Sequence, residues 1–344
     1  RYSMDVMLKA LKIEYPWLKQ AESTSLQRVN RDLDDAFQRF FNHSLQNGFP
    51  RFKSKKNTNQ SYTSKFVNNN IRIVDEHHIK LPKLGLVYFK AGRILNGKIR
   101  AVTVSVNSRK QYQASILVES ENQTFKKTKK SVGIDLGLKS LTITSDGQKE
   151  DILKVDDRLN KQLRIWERKK SRRYENAKKA MAFDEHDKVL FPRTDLKQFP
   201  RYQQAVRTVA KLKKHIAERR RDNLHKLTTR LVKDYDTIVV ENLSVKNMMK
   251  NHHLSASIAN ASWGTLISQL KYKCAWYGKR LIIIDPKNTS RICHECKQKN
   301  HEFDSLSQSE WLATREWDCP NCHAHLDRDV NAAKNILAKG LETL

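Results

Sequence analysis

The sequence lacks any apolar run that approaches the ~20 residues needed to cross a bilayer. It also lacks the pattern of a secretory signal peptide at its start, so we expect neither a membrane protein nor a secreted one. The N-x-S/T triplets at Asn42, Asn59 and Asn122 are accordingly interpreted as chance matches. The first residue is Arg1 rather than Met, which indicates that an original N-terminus is missing.

Acidic residues are few. The 344 residues include 37 Asp and Glu against 66 Lys and Arg, which gives a formal net charge of +29. This excess is large for an enzyme of small molecules, and it attracts polyanions over long range, nucleic acid first and anionic membranes second. We therefore expect a nucleic-acid partner.

Cysteines are also few, and four of the five form two C-x-x-C pairs with 22 residues between the pairs. In an intracellular basic chain this spacing favours metal over disulfides, and two thiolate pairs make a closed tetrahedral Zn²⁺ site. The intervening segment has no obvious core of its own, which is typical of a metal-stapled segment. The predicted ligands of one structural zinc ion are Cys293, Cys296, Cys319 and Cys322, with His294, His301, His323 and His325 as possible substitutes.

The order of predicted elements indicates an α/β multidomain fold. Residues 1–48 carry an apolar stripe at helical spacing, which predicts a helix packed in a small bundle. Residues 61–125 contain five short strand patterns, typical of a small antiparallel barrel or sheet. A hairpin, long helices, a strand, a helix and a strand follow, which is an α/β layer arrangement. Cys274 lies within the predicted helix 256–278 and is interpreted as a small hydrophobic residue.

Three carboxylates fall in apolar surroundings on three elements. Asp135 lies in a strand of period two, Glu241 ends a buried strand pattern, and Asp329 opens the last helix. Oxygen ligands suit Mg²⁺, and two such ions roughly 4 Å apart activate water and stabilise the leaving oxygen at phosphorus. In so basic a chain, these acids predict a two-magnesium phosphodiesterase site. The alternative for Asp327 or Asp329 is a helix cap.

Two segments are candidates for contact with nucleic acid. Residues 49–60 interleave aromatic residues with cations, a combination suited to phosphate contact and base stacking. Residues 158–233 carry 24 Lys and Arg against eight acids, on two predicted helices separated by an irregular insert at 184–201. A solvated loop and a solvated helix pair are the alternatives. The candidate residues are Arg51, Phe52, Lys53, Lys55, Lys56, Arg168, Lys169, Lys170, Arg172, Arg173, Arg219, Arg220 and Arg221.

An ordered set of motifs resembles the TnpB family, transposon-encoded RNA-guided nucleases related to compact type V CRISPR effectors. Residues 133–137 (Gly-Ile-Asp-Leu-Gly) resemble its first RuvC motif, and residues 239–243 (Val-Val-Glu-Asn-Leu), followed by two methionines, resemble the second. The cysteine pairs resemble its zinc ribbon, and residues 329–333 (Asp-Val-Asn-Ala-Ala) resemble the third RuvC motif. Residues 48–55 resemble a segment between the family's helical and barrel parts. The resemblance covers roughly residues 15–340.

The resemblance implies an RNase H-like RuvC domain with an inserted zinc ribbon, preceded by a small WED-like β-barrel with a helical, REC-like segment. The family's usual first strand and helix precede the point where this chain starts, which implies a truncated WED domain. The insert at 184–201 matches no family element, and His323 stands where Gly is common. The implied boundaries are 1–56 for the REC-like segment, 57–127 for the barrel, 128–288 for RuvC with its basic helices at 158–233, 289–323 for the zinc ribbon and 324–344 for the RuvC C-terminal helix.

The resemblance also implies an activity. The family binds a guide RNA derived from the transposon end, reads a short target-adjacent motif and cuts both strands of target double-stranded DNA at one RuvC site. It implies that Asp135, Glu241 and Asp329 are the catalytic acids and hold two Mg²⁺ ions. We expect a monomeric cytoplasmic protein associated with the nucleoid of a prokaryotic cell.

Three other functions stay open on the sequence alone. An RNA-guided DNA-binding protein without cleavage would keep the acids only for structure. A DNA transposase would transfer strands without RNA. A structural RNA-binding protein agrees with the charge, but it explains neither the acids nor the cysteine pairs.

Overall fold

The chain is described by a computed structural model over residues 2–45, 47–52, 54, 59–92, 94–107, 111–151, 157–180, 193–248, 250, 258 and 261–343. The chain divides into two compact units, residues 1–121 and residues 122–344. Across the described ranges, no helix combines the length and the apolar character that a bilayer crossing requires.

The first unit opens with two helices, which confirms the helical prediction for this region. Helix α1 (Tyr2–Glu14) and helix α2 (Ser23–Phe41) flank a short 3-10 helix (Pro16–Gln20). The carboxylate of Glu22 caps α2, because it accepts hydrogen bonds from the backbone N–H groups of the first turn, at 2.9 Å from Thr24.

The apolar face of α2 is only partly covered. Phe37 and Phe40 pack against the ring of Phe49, with centroid distances of 5.6 and 5.4 Å. Farther toward the N-terminus, Val29 is 61% exposed and Leu33 is 43% exposed. The expected packing of this stripe in a bundle is thus met only at its aromatic end.

The strands of the first unit form two antiparallel sheets of three strands each, and strand pairing does not join the described strands into one closed barrel. A shared core of four buried residues lies among them, Ile71, Ile79, Leu81 and Val102. Strand β1 was missing from the sequence prediction because its residues are polar. The strands are β1 (Gln60–Lys65), β5 (Lys98–Val106) and β6 (Tyr112–Glu119) in one sheet, and β2 (Arg72–Ile73), β3 (His78–Leu81) and β4 (Gly85–Tyr88) in the other.

The second unit is built on a mixed five-stranded sheet in the order β11-β10-β7-β8-β9. The three strands at one end are parallel, and the hairpin that follows β7 adds the antiparallel part. This agrees with the predicted hairpin and with the predicted α/β order. The strands are β7 (Ser131–Asp135), β8 (Ser140–Thr144), β9 (Lys149–Asp151), β10 (Thr237–Glu241) and β11 (Arg280–Ile284).

Helices cover both faces of this sheet. On one face α4 and α6 bury Leu224, Leu266 and Leu270 against β7 and β10, and Cys274 lies in this core as predicted. On the other face α8 buries Ile336. The helices are α3 (Asp157–Lys179), α4 (Pro200–Asp234), α5 (Val245–Met248), α6 (Trp263–Tyr277), α7 (Gln308–Ala313) and α8 (Arg328–Leu341), with 3-10 helices at Arg193–Gln198 and His301–Asp304.

Helix α8 lies unusually close to the sheet. A Cβ atom on Gly133 of β7 would come within 2.1 Å of the carbonyl oxygen of Ala333, and one on Gly340 would come within 2.3 Å of a Val239 methyl group. Any larger side chain at either glycine would push the helix away from the strands. The two glycines therefore let the middle and the last turn of α8 pack directly on β7 and β10.

The basic helices α3 and α4 run antiparallel to each other. Glu167 pairs with Lys213 at 2.8 Å, and Arg173 donates to the carbonyl oxygen of Arg201 at 2.6 Å. A later residue of α3 thus contacts an earlier residue of α4. Residues 184–192 of the predicted insert lie outside the described residues, and α4 already begins at Pro200.

Candidate functional site

Asp135 and Glu241 lie side by side at the ends of two parallel strands. Val240 of β10 pairs with Ile134 of β7, so the next residue of each strand is the carboxylate. The carboxyl ends of adjacent parallel strands are a common place for ligands, because the chain there leaves the sheet on one side. The two acids predicted from separate strands are thus neighbours.

Asp329 reaches the same place from the first turn of α8. The cap of this helix is Asp327, whose Oδ1 accepts from the backbone N–H groups of Asp329 at 3.0 Å and of Val330 at 2.9 Å. Asp327 also pairs with Lys149 at 2.5 Å. The capping alternative therefore belongs to Asp327, and the Asp329 carboxylate is available for another role.

The three acids interact electrostatically. Burial, together with the negative charges of Glu241 and Asp329, raises the pKa of Asp135 to about 7, and the charge of Arg328 opposes this shift. Burial also raises the pKa of Glu241, against the hydrogen bond from Thr289, which lowers it. Negative charge is therefore concentrated here without full compensation, and this is the condition that a bound divalent cation relieves.

The present arrangement does not hold the three carboxylates in one tight cluster. Asp329 is drawn to two guanidinium groups, with Arg328 at 2.8 Å and Arg315 at 3.4 Å. Among the described residues, only the four cysteines bring three or more possible ligand atoms within 4.8 Å of one another. The donor set nevertheless fits hard cations, because Mg²⁺ binds through one or two carboxylates and keeps several waters.

Glu241 is held by a residue of the loop after β11. The Thr289 hydroxyl donates to Glu241 Oε1 at 2.6 Å, and both side chains are buried. Lys339 of α8 lowers the pKa of Glu241, and Asp285 raises it. The site thus extends from the strand ends into the segment that leads to the first cysteine pair.

The four predicted zinc ligands converge. The Sγ atoms of Cys293 and Cys322 are 3.7 Å apart, and those of Cys296 and Cys319 are 3.6 Å apart. A tetrahedral site with Zn–S bonds of about 2.3 Å separates its sulfurs by about 3.8 Å, so the four thiols fit Zn²⁺. The pKa of Cys296 is lowered to about 6, chiefly by a hydrogen bond from Asn321. This lowered pKa favours the thiolate.

A small core surrounds this cluster, contrary to the expectation that the segment has none. Phe303 and Trp317 are buried beside Cys293 and Cys319, and their rings meet edge to face at 5.1 Å. The second pair lies on the turn between two short antiparallel strands, β12 (Glu316–Asp318) and β13 (His325–Asp327).

The rings of three of the four nearby histidines contact other groups. His294 Nδ1 lies 3.0 Å from Asn331 Oδ1, His301 lies 3.2 Å from Asp304, and His325 lies 2.8 Å from Asp318. Among the described residues, the converged cluster of ligand atoms at this site consists of the four cysteines and includes no histidine.

The basic residues of α3 and α4 have different surroundings. Lys169 and Arg173 lie over the ring of Trp166, at 4.7 and 5.7 Å from its centroid. Arg168, Arg172 and Arg221 are exposed, Lys170 and Arg220 are half-buried, and Arg219 is exposed. Burial lowers the pKa of Arg220. Some of the predicted nucleic-acid-binding cations thus pack within the second unit, and the exposed ones, such as Arg168, Arg172 and Arg221, face solvent.

The other predicted nucleic-acid segment is described only in part. Arg51 is exposed and Phe52 is fully exposed. Lys53, Lys55 and Lys56 lie outside the described residues.

Sequence reasoning missed the polar residues that hold the acids. Thr289, Arg315, Arg328 and Lys339 each interact with a candidate acid, but each is an ordinary polar residue in a loop or helix pattern. Arg328 is next to its partner Asp329 in the sequence, and the other three residues are far along the chain from the acids they interact with. No spacing rule therefore identifies them. The only sequence signal was their closeness to motifs that already carried an acid or a cysteine.

Comparison with known proteins gives matches to both halves of the second unit. Residues 115–252 match the family model OrfB_IS605, described as "Probable transposase". Residues 263–336 match the Cas12f1-like TNB domain. A protein of Streptomyces pristinaespiralis, provisionally named an RNA-guided DNA endonuclease, is 34% identical over 335 residues, covering 95% of this chain and 74% of that protein.

The chain belongs to the TnpB family. A second member, InsQ of Escherichia coli K12, carries the same provisional name and is 32% identical, covering 95% of this chain and 77% of its own length. The TnpB-like protein L79 of Acanthamoeba polyphaga mimivirus is 23% identical over 223 residues, 63% of this chain and 38% of that protein. The resemblance drawn from the RuvC and cysteine motifs is confirmed.

Proposed function

We propose that this chain is an RNA-guided DNA endonuclease of a transposable element, which hydrolyses DNA phosphodiesters by two-metal RuvC chemistry at a target next to a short adjacent motif. The observation that carries the proposal is the pairing of β7 with β10, which puts Asp135 beside Glu241 with Asp329 in electrostatic reach. The names of the Streptomyces and Escherichia relatives support the activity class.

The three acids would hold two Mg²⁺ ions, which supply an activated water and stabilise the leaving oxygen of the scissile phosphate. Asp135 would contribute a carboxylate whose pKa is raised by burial and by the charges of Glu241 and Asp329. Glu241 contributes an oxygen fixed by Thr289. Asp329 would hold the cation in place of its present pairing with Arg328 and Arg315, and the Arg315 guanidinium would then be available to phosphate.

The four cysteines would hold one structural Zn²⁺, which would complete the small core around Phe303 and Trp317. We propose that this module acts chiefly by bracing the acid site, because Arg315 links it to Asp329. The proposal keeps the domain boundaries predicted from the sequence, with the RuvC domain at 128–288 and 324–344 and the zinc ribbon at 289–323.

The nucleic-acid partners are a guide RNA derived from the transposon end and target double-stranded DNA. Exposed cations of α3 and α4, with Arg51 and Phe52, are proposed to follow the phosphate backbone, while base pairing supplies specificity. The protein would act as a monomer in the cytoplasm, associated with the nucleoid of a prokaryotic cell.

The test begins with the RNA that copurifies with the chain. After sequencing, that RNA is extended by a chosen guide and the complex is incubated with matching DNA and Mg²⁺. Asp135→Ala and Glu241→Ala are each expected to bind the target without cutting it. Cleavage that persists in either variant would remove the nuclease assignment and leave RNA-guided binding.

A second candidate is a DNA strand transferase that needs no RNA, since residues 115–252 match a model described as a transposase. The same preparation distinguishes the two. A chain that carries no RNA, and that joins DNA ends after nuclease treatment of the sample, would favour transposition over guided cleavage.

A further inference from the structure

The segment between β11 and the first cysteine pair connects the acid site to the zinc module. It runs from Asp285 to Cys293, and its central residue, Thr289, donates its hydroxyl proton to Glu241 Oε1 at 2.6 Å. The same hydroxyl also lies 3.2 Å from the carbonyl oxygen of Pro286. Among the described residues this is the hydrogen bond that reaches the Glu241 carboxylate, so Thr289 fixes where one of its oxygens points.

Thr289 is itself held from α8. The Asn335 side-chain amide donates to the carbonyl oxygen of Thr289 at 2.9 Å and to that of Ile292 at 2.6 Å. One turn earlier, Asn331 donates to Ile292 at 2.8 Å and accepts from the backbone N–H of His294 at 2.8 Å. Two asparagines at i and i+4 on one helix face thus clamp the segment at its middle and at its C-terminal end.

This network is buried, which makes its geometry restrictive. Asn331 is 1% exposed, Thr289 is 6% and Asn335 is 8%. A buried amide that loses its hydrogen-bond partner destabilises the fold, so the loop has little freedom to adopt another arrangement. The carboxylate orientation at Glu241 is therefore set by α8, the same helix that carries Asp329.

We propose that Thr289 is a positioning residue for Glu241, and that Asn331 and Asn335 hold Thr289 and the first cysteine pair in one fixed relation. The inference rests on the proposed function, because it assigns a role in holding a divalent cation. A hydrogen bond to the second oxygen of a ligating carboxylate orients the first, and losing such a bond typically lowers metal affinity or activity about 10- to 100-fold.

The experiment compares Thr289→Val with Thr289→Ser in the purified complex with its guide RNA. Valine removes the hydroxyl and serine keeps it. Thr289→Val is expected to lower the cleavage rate at saturating target about 10- to 100-fold, with target affinity and zinc content unchanged. Thr289→Ser is expected to recover most of that loss.

A second readout does not depend on cutting. Mn²⁺ binding to the complex with an uncleavable phosphorothioate target is measured by calorimetry, and Thr289→Val is expected to weaken it by a similar factor. Thr314→Val is the matched control, because its hydroxyl donates only to the helix carbonyl of Glu310, at 3.0 Å. If valine disturbs the packing, Thr289→Ala against Thr289→Ser repeats the comparison with smaller side chains.

The outcomes separate the two proposals. Equal Mn²⁺ affinity in the valine and wild-type proteins, or equal losses in the valine and serine variants, would overturn the positioning role of Thr289. If Glu241→Gln itself cuts the target as the wild type does, the proposed function fails, whatever Thr289 does.

Discussion

Asp327 accepts a hydrogen bond from the backbone N–H of Asp329 at 3.0 Å, so one acid of the Asp-Arg-Asp sequence caps the helix, while the carboxylate of the other pairs with Arg328 and Arg315. The two carboxylates are two residues apart, yet they have separate roles. Sequence alone offered either of them as the cap.

This division predicts different effects for the two acids. Asp327→Ala is expected to lower the free energy of unfolding by about 1 kcal/mol, because the helix loses its cap. It is expected to reduce cleavage less than Asp329→Asn does. Asp329→Asn is expected to reduce the cleavage rate at least about 100-fold, since even the residues around a metal ligand have effects of up to that size. Urea unfolding and single-turnover cleavage measure the two quantities. Equal losses of cleavage in the two variants would contradict the division.

The raised pKa of Asp135 predicts a pH dependence of stability. The folded chain binds this proton up to about pH 7, whereas the ordinary pKa is 3.8, so stability falls as pH rises through that window. Without divalent cations, Asp135→Asn is therefore expected to gain stability over wild type between pH 5 and pH 8. The upper limit of the gain is about 1.4 kcal/mol for each pH unit that separates the raised pKa from the ordinary one. Added Mg²⁺ should stabilise the wild type more than the variant.

Urea unfolding at several pH values, in buffer treated to remove free divalent metal, measures this gain. Asp222→Asn is the control, because it makes the same charge change at an exposed ion pair with Lys226 on α4. A gain for Asp135→Asn that is the same at pH 5 and pH 8 would show that burial does not hold the proton.

The cysteine cluster predicts about one Zn²⁺ per chain. Cys319→Ser is expected to lose the zinc and to loosen the core that Phe303 and Trp317 form around it. Cys274→Ala removes an equally buried cysteine from the main core and should keep the metal. Burial raises the pKa of the Cys274 thiol to about 11, so this cysteine stays a neutral thiol. Metal analysis by mass spectrometry distinguishes the two variants. Zinc retained in full by Cys319→Ser would rule out the four-cysteine site.

The exposed cations of the basic helices predict a steep salt dependence of target binding. Replacing Arg168, Arg172 and Arg221 by glutamine should flatten the slope of log affinity against log salt, by about 0.9 for each duplex phosphate that the protein no longer neutralises. Lys226→Gln on α4 is the control, because Lys226 is already paired with Asp222 at 2.7 Å. Binding titrations between 50 and 200 mM salt measure the slope, in the range where such interactions respond most clearly. An unchanged slope in the triple variant would argue against these arginines as phosphate ligands.

The sequence predicted the elements of the second unit well, because their signals are local. The alternation that ends at Asp135 and the apolar strand that ends at Glu241 can be recognised within a few residues. The spacing of the C-x-x-C pairs alone also predicts a metal site.

What the sequence did not predict depends on interactions between distant segments. The hydrogen bond from Thr289 to Glu241 spans 48 residues and follows from the packing of α8, which no local pattern encodes. Strand β1 was missed because polar residues such as Gln60 and Ser61 carry no strand signal of their own. The exposed face at Val29 shows the converse, since periodicity predicts an apolar face but not what covers it.

The close approach of α8 to the sheet also matters during synthesis. Gly133 of β7 meets its partner Ala333 only after the ribosome has added 200 further residues, and Asp329 arrives with that same helix. A chain whose translation stops early would retain the basic helices and their attraction for nucleic acid, but not the third acid or the cover of β7. On the proposed function, unfinished protein could hold RNA or DNA but not cut it, so cutting would be confined to chains made through α8.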